Sequence, residues 1–155
     1  MQRENGNMGH TFASHLYHIV FSTKNRQALI TADIKPRLLQ YLSGIARQNG
    51  WSILAANGTK DHVHLLAAVP PKVSVADFVQ MLKGNSSRWM AQEFGRMFAW
   101  QAGYASFTVS ESNRSRVSCY IAKQEEHHSR LPFEKELWRL LDKHRIPFDR
   151  EHYLD

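Results

Sequence analysis

The stretch that decides the fold is TKDHVHLLAAV, residues 59–69, which sets two histidines one residue apart at the head of an otherwise apolar strand. Side chains alternate across a strand, so Val63, Leu65, Ala67 and Val69 share one face while His62 and His64 share the other. The apolar set calls for helices packed upon it. The histidine set is then expected on the opposite, open face, its two residues about 7 Å apart along the strand, near enough for both rings to converge on one ion. An isolated pair of this kind is more often polar surface than a ligand pair, so its meaning depends on what else reaches that face.

Working outward, WSILAA (51–56) forms a second strand, joined to the first by NGTKD, a turn-rich link of hairpin length. HLYHIVFST (15–23) alternates Tyr17, Ile19 and Phe21 against Leu16, His18, Val20 and Ser22, which marks another strand. Between them, Ile34, Leu38, Leu42 and Ile45 fall at helical spacing, predicting a helix from Asp33 to about Gln48 with Pro36 in its first turn and QNG as its stop. Downstream, Ser74 and Asp77 form a capping-box-like start to a helix whose buried stripe is Phe78, Val79, Leu82, Ser86, Trp89 and Met90. YASFTV (104–109) reads as the last strand. A helix capped by Ser110 or Ser112 is expected through NRSRVSCYIAKQEEHH (113–128), and Pro132 opens another through PFEKELWRLLDKH (132–144). The order matches an α+β chain of ferredoxin-like (RRM-like) plan, an antiparallel sheet with helices on one face, followed by C-terminal helices of which the first carries Tyr120. The other face is expected to be left for function.

With 155 residues, 43% of them apolar, the chain suits one domain, expected over residues 14–155 behind a flexible, polar tail at 1–13. Lys and Arg outnumber Asp and Glu by 20 to 14, a net charge of +6 that favours a polyanionic partner. The lone Cys119 excludes an internal disulfide framework and suits a reducing compartment. No apolar run approaches membrane-spanning length and the N-terminus lacks a signal-peptide core, so the expectation is a cytoplasmic protein with no membrane partner.

Tyr120 and Gln124 are four residues apart on the predicted helix and share a face, with His127 and His128 one turn further. A glutamine carbonyl beside two imidazoles completes an oxygen-tolerant metal site with room for phosphate oxygens, and a tyrosine one turn away is placed as a nucleophile. Alone, such a Tyr/Gln pair is plain helix surface; joined to His62 and His64 it becomes a candidate active site. His127 and His128 are candidates to assist it by hydrogen bonding or proton transfer.

The joint pattern, histidine-hydrophobic-histidine on a central strand followed by Y-I-x-x-Q on a helix, resembles the single-tyrosine HUH transposases of small insertion sequences, including their REP-associated relatives. YHIVFSTKNR (17–26), KDHVHLL (60–66), GYASFTVSES (103–112), YIAKQEEHH (120–128) and HRIPFDREHY (144–153) are similar to that family's text in the same order. The resemblance implies His62, His64 and Gln124 as ligands of Mg²⁺ or Mn²⁺ and Tyr120 as the nucleophile. It also implies hairpin-bearing single-stranded DNA as substrate, cleaved and rejoined through a 5′-phosphotyrosine. A homodimer is expected in which one subunit's tyrosine helix can complete the partner's active site.

Lys24, Arg26, Lys83, Arg88, Arg114, Arg116 and Lys123 are candidate phosphate contacts, and Trp51, Trp89, Trp100 and Tyr104 candidate base-stacking residues, although Trp89 also follows the core stripe. Rival readings stay open. One is a non-catalytic single-stranded nucleic-acid-binding module of the same fold; such modules stack bases on aromatic side chains, where this face offers histidines. Another is a domesticated REP-associated nuclease. A zinc-dependent hydrolase is a further rival, and would need more His, Cys or carboxylate ligands near the pair.

Overall fold

In the computed structural model, which describes residues 9–95 and 97–153, β1 (Leu16–Ser22), β2 (Ser52–Gly58), β3 (His62–Ala68) and β4 (Ala105–Val109) form one antiparallel sheet in the order β2-β3-β1-β4. This is the ferredoxin-like order expected from the sequence. Of the expected tail, residues 1–8 lie outside the described residues, and 9–13 are exposed without regular structure. Among the described residues, no helix is long and apolar enough to cross a membrane.

Pairing of β1 with β3 sets Val20 opposite His64 and Ser22 opposite His62, so these four residues share a face. The reverse face presents Ile19, Phe21, Val63, Leu65 and Ala67, which pack against α1 (Ile34–Gln48) and α2 (Val75–Phe94) through Leu38, Leu42, Phe78 and Leu82. Ser74 caps α2 as predicted, its hydroxyl accepting from the Asp77 N–H at 3.0 Å, and Gly95 ends the helix in the left-handed region at φ 61°. Trp89 stacks on Tyr41, ring centroids 4.4 Å apart, which identifies it as a packing residue.

The histidine face is not open. α3 (Arg114–Ala122), α4 (Gln124–His128) and α5 (Phe133–Lys143) cover it. The reason is energetic: this face also carries Leu16, Val20, Leu66 and Phe107, and leaving each such side chain in water forfeits about 1.5–3 kcal/mol. Ile121 of α3 packs with Leu16 and Leu66, while Phe133, Leu137 and Leu141, one stripe of α5, pack with Val20 and Phe107. The single helix expected over 113–128 is broken at Lys123, whose φ of −99° and ψ of 22° leave the helical region. No glycine or proline marks that break. Nor does a serine side chain cap the helix: Ser110 opens a short 3₁₀ turn at 111–113 with no side-chain cap bond, and Asn113 precedes α3.

One position ties the hairpin to the site. A Cβ added at Gly58 would stand 2.3 Å from the His62 carbonyl oxygen and 3.1 Å from the Val63 Cα, both backbone atoms that cannot swing aside. Gly58→Ala is therefore expected to part β2 from β3 at His62 and to cost about 1–3 kcal/mol, read from the urea midpoint of unfolding.

Candidate active site

β3 delivers His62 and His64 side by side, both fully buried. The Nδ1 of His62 lies 2.8 Å from Asp61 Oδ1 and 2.9 Å from Thr59 Oγ1. Because an ionised carboxylate only accepts, Nδ1 carries the proton and Nε2 keeps its lone pair for the site interior. This is how a carboxylate fixes the tautomer of a metal-ligating histidine. Phe133 stacks on the same ring at 4.1 Å and holds its plane. The Nδ1 of His64 is 2.8 Å from His18 Nε2, and its Nε2 is 2.9 Å from Glu136 Oε1. His18 Nε2 can therefore accept a hydrogen bond from the His64 Nδ1–H whenever His64 Nε2 offers its lone pair to a cation.

Glu136, on the buried face of α5, is where the expected residues meet. Its Oε1 lies 2.9 Å from His64 Nε2, 3.0 Å from His128 Nε2 and 3.7 Å from His62 Nε2. Its Oε2 accepts from the Tyr120 hydroxyl and, at 3.2 Å, from Gln124 Nε2. The Oε1 of Gln124 faces His62 Nε2 at 3.3 Å and His128 Nε2 at 3.1 Å. Thus Tyr120, His62, His64 and Gln124 come together within one chain, and the helix break at Lys123 does not separate Tyr120 from Gln124. His127 stacks on the Tyr120 ring at 4.7 Å.

Burial alone would raise the Glu136 pKa, but hydrogen bonds from His128, His64 and Tyr120 outweigh it and keep the carboxyl well below the usual carboxylate range. Burial pushes His64 down to about 4, despite the opposing pull of Glu136, and burial with the neighbouring His64 pushes His18 down to about 3. Tyr120 is raised by burial and by the Glu136 carboxylate, so its phenol stays protonated. The resting site therefore holds two neutral imidazoles at His18 and His64, one carboxylate and one phenol.

These residues fit a divalent cation. Donor atoms of His62, His64, His128 and Glu136 all lie within 4.8 Å of one another, and the single carboxylate sits among the imidazoles. The imidazole nitrogens are ligands that transition metals take, and the carboxylate adds an oxygen that harder divalent ions accept.

The buried imidazoles also set an acid limit. His64 and His18 have folded pKa values below their unfolded value of 6.5, so the unfolded chain binds protons first and stability falls as pH drops below about 6.5, until each folded pKa, about 4 and about 3, is passed. Each contributes up to about 1.4 kcal/mol per pH unit across its window. Glu136, depressed when folded, adds a further loss only below its unfolded value of about 4.3. Urea midpoints of chelator-treated protein are expected to fall steadily between pH 6.5 and 4.

The candidate phosphate contacts divide. Arg116 and Lys123 flank Tyr120. Lys24 is exposed, Arg26 pairs with Glu134 at 3.2 Å, and Arg114 with Glu111 at 3.3 Å. Lys83 and Arg88 ride on α2, across the sheet from the histidines. The Lys83 ammonium donates to the carbonyls of Gln101 at 2.7 Å and Gly103 at 2.6 Å, with its pKa lowered to about 8 by burial, so it fastens the 101–103 loop. Sequence reading missed Glu136, His18 and Asp61. An acid interrupting the apolar stripe Phe133, Leu137 and Leu141 was the available signal for Glu136, and alternation on β1 already placed His18 on the histidine face.

The four-stranded antiparallel sheet with its helices matches solved transposase structures. The structure of a REP-associated tyrosine transposase bound to a REP hairpin superposes with a TM-score of 0.58 over 97% of this chain and 92% of that one; at 14% identity it speaks for the fold alone. A crystal structure from Deinococcus radiodurans R1, assigned as a transposase, matches with a TM-score of 0.61 and 31% identity over 77% of this chain and 98% of that one. In sequence, the ISDra2 transposase TnpA of Deinococcus radiodurans is 32% identical over 115 residues, 70% of this chain and 82% of the relative. The IS200 transposase of Salmonella typhimurium is 33% identical over 125 residues, 76% of this chain and 81% of the relative. Residues 11–124 match the family described as transposase IS200 like. The chain belongs to the IS200-like transposase family and is a transposase enzyme.

Proposed function

We propose that this transposase cuts and rejoins single-stranded, hairpin-bearing DNA through a covalent ester on Tyr120, with Mn²⁺ or Mg²⁺ as cofactor. The observation that carries this reading is the convergence of Tyr120, Gln124, His62 and His64 on one buried point at Glu136. The tyrosine helix of the same chain reaches the histidines, which supports assembly in cis. Hairpin DNA is taken as the substrate class because the chain belongs to the IS200-like transposases and a transposase of the same fold is bound to a REP hairpin.

His62, His64, His128, Glu136 and the Gln124 carbonyl would hold the cation. When bound, it supplies positive charge that offsets the negative charge gathering on the scissile phosphate and on the departing 3′ oxygen. The remaining work belongs to the chain. Asp61 and His18 fix the imidazoles, His127 braces the phenol ring, and Glu136 holds the phenol proton on the line along which it must leave. Tyr120 then forms its bond to phosphorus as the bond to the 3′ oxygen breaks. One phosphodiester replaces another of similar energy, so rejoining needs no ATP.

The test uses single-stranded oligonucleotides copied from inverted repeats flanking the gene, incubated with protein and Mn²⁺. A protein–DNA adduct is expected that survives SDS and fails to form when EDTA is present from the start. Cleavage without any adduct would point to hydrolysis by water and sink the proposal.

A further inference from the structure

Beside Tyr120 lies a cleft of about 560 Å³ whose cations have no part in the chemistry above. Lys123, Arg130, Arg139 and Lys143 line it, along with Glu126 and the inward Glu136. Arg139 and Lys143 stand three and seven residues beyond Glu136 on α5, so adjoining parts of one helical face send a carboxylate into the site and two cations along its rim. All four basic side chains are exposed, and among the described residues none of them forms an ion pair. A second cleft of about 360 Å³ shares Tyr120 and Lys143 and adds Arg116 and His144. Positive charge therefore continues past the nucleophile on both sides. Excess cations beside a group that attacks phosphorus fit a run of backbone phosphates.

We infer that this cleft is the track for the DNA strand that stays joined to Tyr120, and that α5, beyond residue 124 where the family match ends, supplies its phosphate contacts. This rests on the proposed chemistry. Attack by the Tyr120 oxygen breaks the bond from phosphorus to the 3′ oxygen, which departs with a proton. Phosphorus and the strand linked through its 5′ oxygen remain on the tyrosine. The cleft rimmed by Arg139 and Lys143 opens beside Tyr120 and offers that strand a path lined with cations.

The probe is a fluorescein-labelled oligo(dT) of about 16 nucleotides, within the span of known single-strand sites, bound to Tyr120→Phe protein so that it stays uncut. Affinity is read by anisotropy against NaCl concentration. Each single-strand phosphate contact contributes about −0.7 to the slope of log K against log salt, so Arg139→Gln/Lys143→Gln is expected to flatten the slope by about 1.4. Arg139→Lys/Lys143→Arg should restore it, and Arg47→Gln/Lys72→Gln, exposed cations outside the cleft, should leave it unchanged. The four side chains are exposed, so unchanged melting of each variant confirms that charge alone was altered. A slope unaffected by the α5 pair, equal flattening by the control pair, or no oligo(dT) binding by the parent overturns the inference. If Tyr120-intact protein still forms the adduct in any of those cases, the proposed chemistry stands and only the track falls.

Discussion

Tyr120→Phe is expected to abolish the covalent adduct and to lower strand cleavage by about 10⁴-fold or more, the scale seen when a nucleophile is removed outright. The substitution deletes one oxygen. The ring keeps its stack on His127 and its edge contacts with His18 and His64, so α3 keeps its place on the sheet. Folding loses the hydrogen bond to Glu136, a cost of about 1–3 kcal/mol if the buried carboxylate is left short of a donor. His64, His128 and Gln124 still donate to Glu136, which places the cost at the low end. DNA affinity and Mn²⁺ affinity should be preserved, because neither the rim cations nor the imidazoles have changed. SDS gels with labelled DNA read the adduct, and anisotropy reads binding. Cleavage that persists in the Phe protein at the parental rate would mean that Tyr120 is not the attacking group.

The fold was legible because its signals are local. Alternation along residues 62–69 and 16–22, the stripe through Leu38 and Leu42, and the Ser74 cap each lie within one element, and together they order the sheet. Two of the three features that define the site were equally local: His62 with His64 by alternation, and Tyr120 with Gln124 by helical spacing. What escaped was long-range. Glu136 is 72 residues from His64, and nothing in PFEKELW says that α5 will dock on the histidine face; that follows only from the joint need of Val20, Phe107, Phe133 and Leu137 for cover. The open face expected from the ferredoxin-like plan was wrong for the same reason. Lys83 shows the converse, since its charge suggested phosphate binding while its surroundings, two carbonyls within 2.7 Å, made it a loop fastener.

His62→Ala is expected to remove metal binding while leaving a folded protein. In the parent, Mn²⁺ at 100 times its dissociation constant should add about 2.7 kcal/mol to stability; in the variant this increment should vanish. The increment is the right quantity, because deleting a buried ring stacked on Phe133 at 4.1 Å opens a cavity and destabilises the metal-free protein by itself. Asp61→Asn, which leaves the ring in place but weakens its hold on the Nδ1 proton, should cost about 10–100-fold in affinity, as outer partners of metal histidines do. Glu136→Gln decides the last donor. With Oε1 standing among three imidazole nitrogens, the carboxylate is expected to be a ligand, and its neutral replacement should weaken Mn²⁺ binding at least as much as Asp61→Asn. Tighter Mn²⁺ binding by the Gln protein would show instead that Glu136 occupies the place of the ion and is not one of its ligands. Isothermal titration with Mn²⁺ on the three variants separates these outcomes without any turnover.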